Sequence, residues 1–477
     1  MPRNWNILID IRKSHRNNRT KQYVLVLVGF WQQKFRTVST AQLSRGRMAG
    51  RNKHFGVIGA GAGGLCAAKH LREKGIDVTI LEMGSRIGGL WAYDNDSGRS
   101  PAYKSLRINS ENKVSSFTDF PFPEGTQLYP DAQEMEAYFE AYADRFGLRE
   151  YIRFNSEVHS IQRVPDGYRV KLNDGEDLRF DGIVVASGHQ CAPRHPPEVE
   201  GFSGDYIHAR EYRVPEPYAG KRVLVIGPGN SGVDIAADIC TVTQMTFLAA
   251  RSPVLIMPRL MFGVPNSRIL GKVERRWLPW QMRVWLRTML TRVFHGTMEQ
   301  WGFRTPKTRT HPISHPTLIS HIAWNRIKAK PGLKGVEGSK VHFVDGSEET
   351  VDAIIAATGY ETDLPFLPEG SSPVRGTHMN LYNRIVHVEM EELYFVGFFD
   401  VTGGSNIRMM EDQSRYAAAM ASGEILRPSS NAMNEAIAAD LAFQEKQFPD
   451  SPRYGLELDP VRYRKLLARD FGKLRNA

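Results

Sequence analysis

Two glycine-rich segments, each following a short apolar run, limit what this 477-residue chain can become. The first reads Val57-Ile58-Gly59-Ala60-Gly61-Ala62-Gly63-Gly64-Leu65, and the second Val225-Ile226-Gly227-Pro228-Gly229-Asn230-Ser231-Gly232-Val233. Both spell G-x-G-x-x-G where a strand gives way to a helix. There the first glycine permits a tight turn, the second lets backbone approach a pyrophosphate, and the third lets helix pack closely on strand. The unpaired N–H groups of the helix's first turn then face the anion. Gly59, Gly61 and Gly64, with Gly63 beside them, fill these roles in the first loop, and Gly227, Gly229 and Gly232 in the second. Two such loops predict a chain that holds two dinucleotides and moves electrons between them.

The surroundings agree. His54–Ile58, a helix over Leu65–Lys74 closed by Gly75, and the apolar strand Asp77–Leu81 form one strand–loop–helix–strand unit. Lys221–Ile226, Gly232–Ile239 and Gln244–Ala250 repeat it. A further echo links Val170–Gly188 to Val341–Gly359. Each has an alternating strand, an Asp-Gly turn and an apolar strand ending in a small residue and glycine, with equal spacing from Asp174 to Asp181 and from Asp345 to Asp352. The expectation is an α/β fold of two Rossmann-like dinucleotide-binding domains, the second inserted into a discontinuous first. By the echo, the chain crosses near Ser187–Gly201, where Pro193–Pro197 is proline-rich, and returns near Ala356–Asp363. A coarser division gives a leader over 1–50, the first domain's opening part over 51–200, and the inserted domain with an irregular insertion over 201–335. It assigns 336–477 to the first domain's remainder and C-terminal helices, which sets the return earlier than the echo does. In the irregular part, Trp277–Phe294 puts Trp285, Leu286, Met289, Leu290 and Val293 on one helical face. That stripe is expected to pack on its own domain rather than lie on a membrane.

Charge narrows the partners. The net charge is +10, but residues 1–53 carry 12 Lys/Arg against Asp10 alone, so the remaining chain sums to −1. A nucleic-acid footprint would be a basic patch on the folded body, and that partner is rejected. No stretch is long enough to span a bilayer. Three scattered cysteines, Cys66, Cys191 and Cys240, suit a reducing compartment and include no C-x-x-C pair. This argues against a disulfide reductase, which needs a redox-active thiol pair. The basic, acid-poor N-terminus reads first as an extra leader, with Met48-Ala49-Gly50 as the effective start, and second as a mitochondrial targeting segment. A cytoplasmic protein is expected. Nothing sets the oligomeric state, and a homodimer is compatible with the sequence.

The strand ends distinguish the loops. Glu82 closes the strand after the first loop, 18 residues beyond Gly64; a carboxylate there accepts from ribose hydroxyls and would repel a 2′-phosphate. The corresponding end after the second loop is Ala249-Ala250-Arg251-Ser252, whose arginine can pair with a 2′-phosphate. These ends place FAD on the first loop and NADPH on the second.

Phe202-Ser203-Gly204-Asp205-Tyr206-Ile207-His208-Ala209-Arg210-Glu211-Tyr212 spells F-x-G-x-x-x-H-x-x-x-Y. With Gly88-Gly89-Leu90-Trp91, Leu106-Arg107-Ile108-Asn109, Phe117–Phe122, His315-Pro316-Thr317-Leu318 and Ala357-Thr358-Gly359-Tyr360, it resembles the flavin-containing monooxygenase family across about residues 54–420. The resemblance implies that NADPH reduces FAD and that the flavin forms a C4a-hydroperoxide with O2. That species would oxygenate nitrogen or sulfur of a small amine or thioether. The reactive oxygen belongs to the cofactor, so no protein nucleophile is needed. Asn109 matches the family's active-site asparagine. Leu90, Trp91 and Gln413 resemble positions lining the flavin, Ser231 through Asp234 resemble residues at the NADP pyrophosphate, and Thr358 lies in a matched motif. His208, where the domains meet, is expected to have a structural or hinge role. His189 and the other histidines show no metal-ligand spacing and are expected to be structural. The chain ends after a charged helix without the hydrophobic anchor of animal microsomal members, so the shorter microbial and fungal members are the expected kin. Baeyer–Villiger enzymes, which usually have tryptophan at the place of Tyr212, or indole-pyruvate-type enzymes come second. An FAD/NADPH electron-transfer reductase is the rival from another class.

Overall fold

The computed structural model describes residues 52–473 apart from 274–277, 312, 402–403 and 449–454. The expected leader and Trp277 thus lie outside the described residues. Two parallel-centred sheets organise the rest. In the first, β1 (His54–Ile58) lies between β2 (Asp77–Leu81) and β3 (Gly182–Val185), both parallel to it. Leu393–Phe395 extends the sheet beside β3, and Ile152–Arg153 ends it beyond β2. Helix α1 (Ala62–Glu73) links β1 to β2 and buries Cys66, Ala67 and Ala68 in a core shared with Ala417, Ala418 and Ala421 of the helix Asn406–Ala421. Small side chains on both helices permit this close packing.

The second sheet repeats the plan. β4 (Arg222–Ile226) lies between β5 (Met245–Ala250) and β6 (Ala353–Ala356), all parallel, with α2 (Asn230–Ile239) joining β4 to β5. Asp205–His208 and Ile327–Pro331 complete its edges. Both helices begin earlier than the sequence predicts, α1 at Ala62 and α2 at Asn230. The later glycines of each loop already occupy the helix's first turn.

The internal echo has a physical basis. Each sheet carries a three-stranded antiparallel appendage, Val158–Val164 with Gly167–Leu172 and Asp177–Phe180, and Leu333–Glu337 with Lys340–Phe343 and Glu348–Thr350. The repeated aspartates cap the first strand of each sheet. Asp181 Oδ2 accepts from the His54 N–H at 2.6 Å, and Asp352 Oδ2 from the Arg222 N–H at 2.8 Å. Because β6 pairs with β4 from Val223↔Ala353 to Ile226↔Ala356, residues 336–356 belong with the second sheet. The coarse division at 335 is therefore corrected, and the return falls where the echo placed it.

The crossings run together. Ala192–Pro193 pairs antiparallel with Tyr360–Glu361, the Arg194 N–H donates to the Gly359 carbonyl at 3.0 Å, and the Thr358 hydroxyl donates to the Arg194 carbonyl. His208, fully buried, adds Nε2 to the Gly359 carbonyl at 3.1 Å, while its Nδ1 accepts from the Arg210 N–H at 3.2 Å. This fixes the neutral ring with its proton on Nε2.

One expectation fails in the irregular segment, where α3 (Asn266–Val273) precedes α4 (Trp280–His295). The apolar stripe of α4 does not turn inward. Trp285, Met289 and Val293 are exposed, whereas Arg287 and Thr291 are buried; among the described side chains of the helix, Leu290 and Phe294 reach the second core. Arg287 lines a cavity, and the Thr291 hydroxyl donates to the Arg287 carbonyl at 2.9 Å.

Burial depresses the His208 pKa from its ordinary 6.5 to about 4. Between those values the unfolded chain binds a proton that the native state does not, so stability falls as pH drops through that window. His208→Gln, which keeps a donor for Gly359, should reduce the loss of thermal midpoint between pH 6.5 and 4. An unchanged slope would contradict the assignment.

Candidate active site

A cavity of about 760 Å³ extends from the first glycine loop to Asn109, a size suited to a large ligand. Gly59, at φ +101°, makes the turn; a Cβ there would lie 2.8 Å from the Ala186 carbonyl oxygen. At Gly64 a Cβ would lie 1.8 Å from the Gly59 oxygen, so only glycine lets α1 approach β1 this closely. Gly61 and Gly63 line the cavity, with Gly61 as the N-cap of α1. That helix has no side-chain cap and no acid in its first turn, so its first N–H groups are available to an anion.

Glu82 also lines the cavity and is only 6% exposed. Its Oε2 accepts from the Ala60 N–H at 2.7 Å and its Oε1 from the Gly84 N–H at 2.9 Å. Burial pushes its carboxyl pKa up, and these N–H groups oppose the shift. Each oxygen retains a lone pair for a ligand hydroxyl. Leu90 and Trp91, on a short 3₁₀ turn, stand on the wall. The glycine cradle, the open helix end and this carboxylate together fit a dinucleotide such as FAD.

The second loop is built alike but lies open. Gly227 takes φ +103°, and a Cβ on Gly232 would lie 1.9 Å from the Gly227 oxygen. Gly229 and Ser231 are exposed, and a Cβ on Gly229 would meet nothing within 4 Å. The first turn of α2 again lacks an acid and a side-chain cap. Asn230 also lines the large cavity, so the two nucleotide sites adjoin there. Arg251, at the end of β5, is exposed and stands against Gly332. These features fit a second dinucleotide.

Other predicted residues are placed differently. Asp234 does not face the second loop's open end. Its Oδ2 accepts from Tyr103 Oη at 3.0 Å, and its Oδ1 lies 3.3 Å from His315 Nε2 and 3.7 Å from Arg259 Nη2. Gln413, fully buried, does not line the cavity; its Oε1 accepts from the Gly397 N–H at 2.9 Å, and Gly397 is on the wall. Thr358 ties the crossings rather than touching the cavity. His189, expected to be structural, lines the cavity, with Nδ1 at 3.0 Å from the Gly397 carbonyl and Nε2 at 3.5 Å from Asp400.

Asn109 lines the cavity, and its Oδ1 accepts from Arg259 Nη2 at 3.1 Å. This leaves the amide N–H₂ as the donor toward a ligand, the flip being assigned by that bond. Arg259 escaped the sequence reading, since nothing distinguishes one arginine in an irregular segment until the fold brings it to Asn109. Met257, Asn266, Leu270 and Arg287 from the same segment also line the cavity. Among the described residues, no His/Cys/Asp/Glu group is arranged to hold a metal, and no helix is long and apolar enough to cross a membrane.

A family model described as Flavin-binding monooxygenase-like matches residues 52–473. The chain belongs to that family. Flavin-containing monooxygenase 5 of Oryctolagus cuniculus is 32% identical over 441 residues, covering 87% of this chain and 81% of the relative. Dimethylaniline monooxygenase (N-oxide-forming) 2 of Rattus norvegicus is 30% identical, covering 88% and 83%. Among solved structures, S-allyl-L-cysteine S-oxygenase from Allium sativum aligns with a TM-score of 0.67 at 26% identity, covering 88% and 89%. The protein is thus a flavin-dependent monooxygenase that works with FAD and NADPH, and the electron-transfer reductase falls away.

Glu82→Ala would leave the Ala60 and Gly84 N–H groups without their acceptor and remove the carboxylate expected to meet the ribose. The dissociation constant for FAD should rise by about tenfold or more, since hydrogen bonds to a charged group are worth about 1.5–3 kcal/mol. Flavin titration of the apoprotein measures this.

Proposed function

We propose that this monooxygenase oxygenates the nitrogen or sulfur of small nucleophilic substrates, with FAD in the enclosed cavity and NADPH on the second loop. The observation that carries the reading is Asn109: it stands on the cavity wall with its carbonyl engaged by Arg259, so its N–H₂ is the available donor. FAD would be held by the Gly59–Gly64 loop, the first turn of α1 and Glu82. NADPH would be held by Gly227, Gly229, Ser231 and Gly232, with Arg251 pairing its 2′-phosphate. When bound, the flavin supplies the redox chemistry, taking two electrons from NADPH and passing them to O2. One oxygen atom goes to a lone pair on the substrate, and the other leaves as water with the proton and hydride supplied.

The chain's part is binding, orientation and exclusion of water. Met257, Leu270 and Phe399 give the cavity an apolar lining that limits side reaction with water. The Asn109 amide donates a hydrogen bond where negative charge gathers on oxygen. The names of two relatives support the substrate class, since a dimethylaniline presents a tertiary amine and S-allyl-cysteine a thioether. Both offer a soft lone pair. All three cysteines are free, which suits a reducing compartment, and residence in the cytoplasm is part of this reading.

Product analysis with tertiary amines, thioethers and ketones tests the substrate class: N-oxides and sulfoxides are expected, and esters from ketones as the sole products would overturn it. Asn109→Ala should keep its flavin yet lose about tenfold or more oxygenated product per NADPH, a loss typical of removing one oriented donor. The missing electrons should appear as hydrogen peroxide. Arg251→Ala should raise KM for NADPH by about tenfold while KM for NADH stays within about twofold, as loss of a charge-assisted contact predicts.

A further inference from the structure

Arg259 is buried to 6% exposure in the irregular segment, and a buried guanidinium persists only where its charge and N–H groups are met. Its partners come from separate parts of the chain. Nη2 donates to Asn109 Oδ1 at 3.1 Å and lies 3.7 Å from Asp234 Oδ1, and Nε reaches the Ser314 carbonyl at 3.4 Å. The guanidinium also stands over the Tyr129 ring, 5.5 Å from its centre, and Tyr129 Oη donates to the Arg259 carbonyl at 2.8 Å.

Asp234 is itself held. Tyr103 Oη donates to its Oδ2 at 3.0 Å, and His315 Nε2 faces its Oδ1 at 3.3 Å. The ring has one orientation available, because His315 Nδ1 accepts from the Leu318 and Thr317 N–H groups at 2.9 and 3.2 Å. That leaves the proton on Nε2, directed at Asp234. The carboxylate is therefore a fixed anchor on α2, the helix whose first turn faces the second nucleotide.

We propose that Arg259 is a positioning residue that ties Asn109, on the flavin side, to Asp234 on the helix of the second nucleotide, and so fixes the direction in which the Asn109 amide donates. A free asparagine side chain can turn its carbonyl or its N–H₂ toward the cavity. With Arg259 on Oδ1, only the donor face is left. The orientation needed for oxygen transfer is thus set from α2. Lysine cannot replace the device, since one ammonium on a flexible stem lacks the planar fork that serves Asn109, Asp234 and Ser314 together. This inference rests on the role given to Asn109 above.

The test compares Arg259→Met, Asp234→Asn and Asn109→Ala, alone and with Arg259→Met and Asn109→Ala combined, in the FAD-loaded enzyme. Two quantities are read: hydrogen peroxide released per NADPH consumed with a thioether substrate, and the anaerobic rate of flavin reduction by NADPH. Arg259→Met should raise peroxide release by about tenfold while flavin reduction stays within about twofold, because the lost contact orients a donor rather than binding a nucleotide. Asp234→Asn should likewise raise peroxide release while flavin reduction stays within about twofold, since Asp234 acts through Arg259. The double variant should release no more peroxide than Asn109→Ala alone, since the two residues act as a unit. Normal coupling in Arg259→Met, or multiplied effects in the double variant, would overturn the proposal. If Arg259→Met fails to retain flavin, Arg259→Lys decides: increased peroxide release with normal flavin reduction supports the positioning role, and wild-type coupling overturns it. Normal coupling in Asn109→Ala would instead overturn the parent reading, whatever the arginine variants do.

Discussion

Helix α1 can lie against the turn after β1 only because position 64 lacks a side chain, since a Cβ would lie 1.8 Å from the Gly59 oxygen. Much of the first site depends on that approach. It directs the first turn of α1 at the cavity and brings the Ala60 N–H within 2.7 Å of the Glu82 carboxylate, so the loop and the end of β2 become one cradle. Gly232 and Gly227 repeat the contact at 1.9 Å in the second sheet. The same steric condition, met twice, builds two anion-directed helix ends from one sequence pattern.

A second constraint keeps those cradles in register with the chain path. The ribbon formed by Ala192–Pro193 and Tyr360–Glu361 binds the outgoing and returning crossings. His208 and Thr358 add side-chain hydrogen bonds to the same place, on Gly359 and Arg194 respectively. Each sheet also closes on an aspartate, Asp181 or Asp352, that caps its first strand. The insertion is stable at its base because both crossings are hydrogen-bonded there, not because a long linker happens to be short of freedom.

What the sequence discloses follows from how local each constraint is. Glycine loops and buried parallel strands are local, and β1, β2, β4 and β5 lie within one residue of their predicted spans. The Asp-to-Asp spacing disclosed β6 and the return crossing better than the coarse division did, because it reflects a hydrogen bond rather than a shift in composition. Side-chain roles set by distant partners were not readable. Gln413 matched a flavin-lining position yet supports Gly397 from behind, and Asp234 matched a nucleotide position yet turns toward Tyr103, His315 and Arg259. Helix α4 misled for a related reason. Periodicity assumes that a helix buries its apolar face, but this helix turns Arg287 to the cavity wall and leaves Trp285 in solvent.

The two cradles differ in enclosure more than in chemistry, and that difference suits their proposed occupants. The first faces a cavity that Glu82, Trp91 and Asn109 also line, and a Cβ on Gly61 would lie 3.5 Å from the Gly89 Cα. A ligand there is lined on several sides. The second presents exposed Gly229 and Ser231 with nothing opposite Gly229, and Arg251, the arginine proposed to pair the 2′-phosphate, is itself exposed. A ligand there keeps solvent on one side and exchanges more readily. A resident flavin and an exchanging nicotinamide nucleotide require that asymmetry, because the flavin stays through every turnover while the nucleotide must arrive reduced and depart oxidised. The contacts from Asp234 through Arg259 to Asn109 join the helix of the second cradle to the wall of the first, so under the proposed roles the exchanging site is connected to the residue assigned to the reacting oxygen.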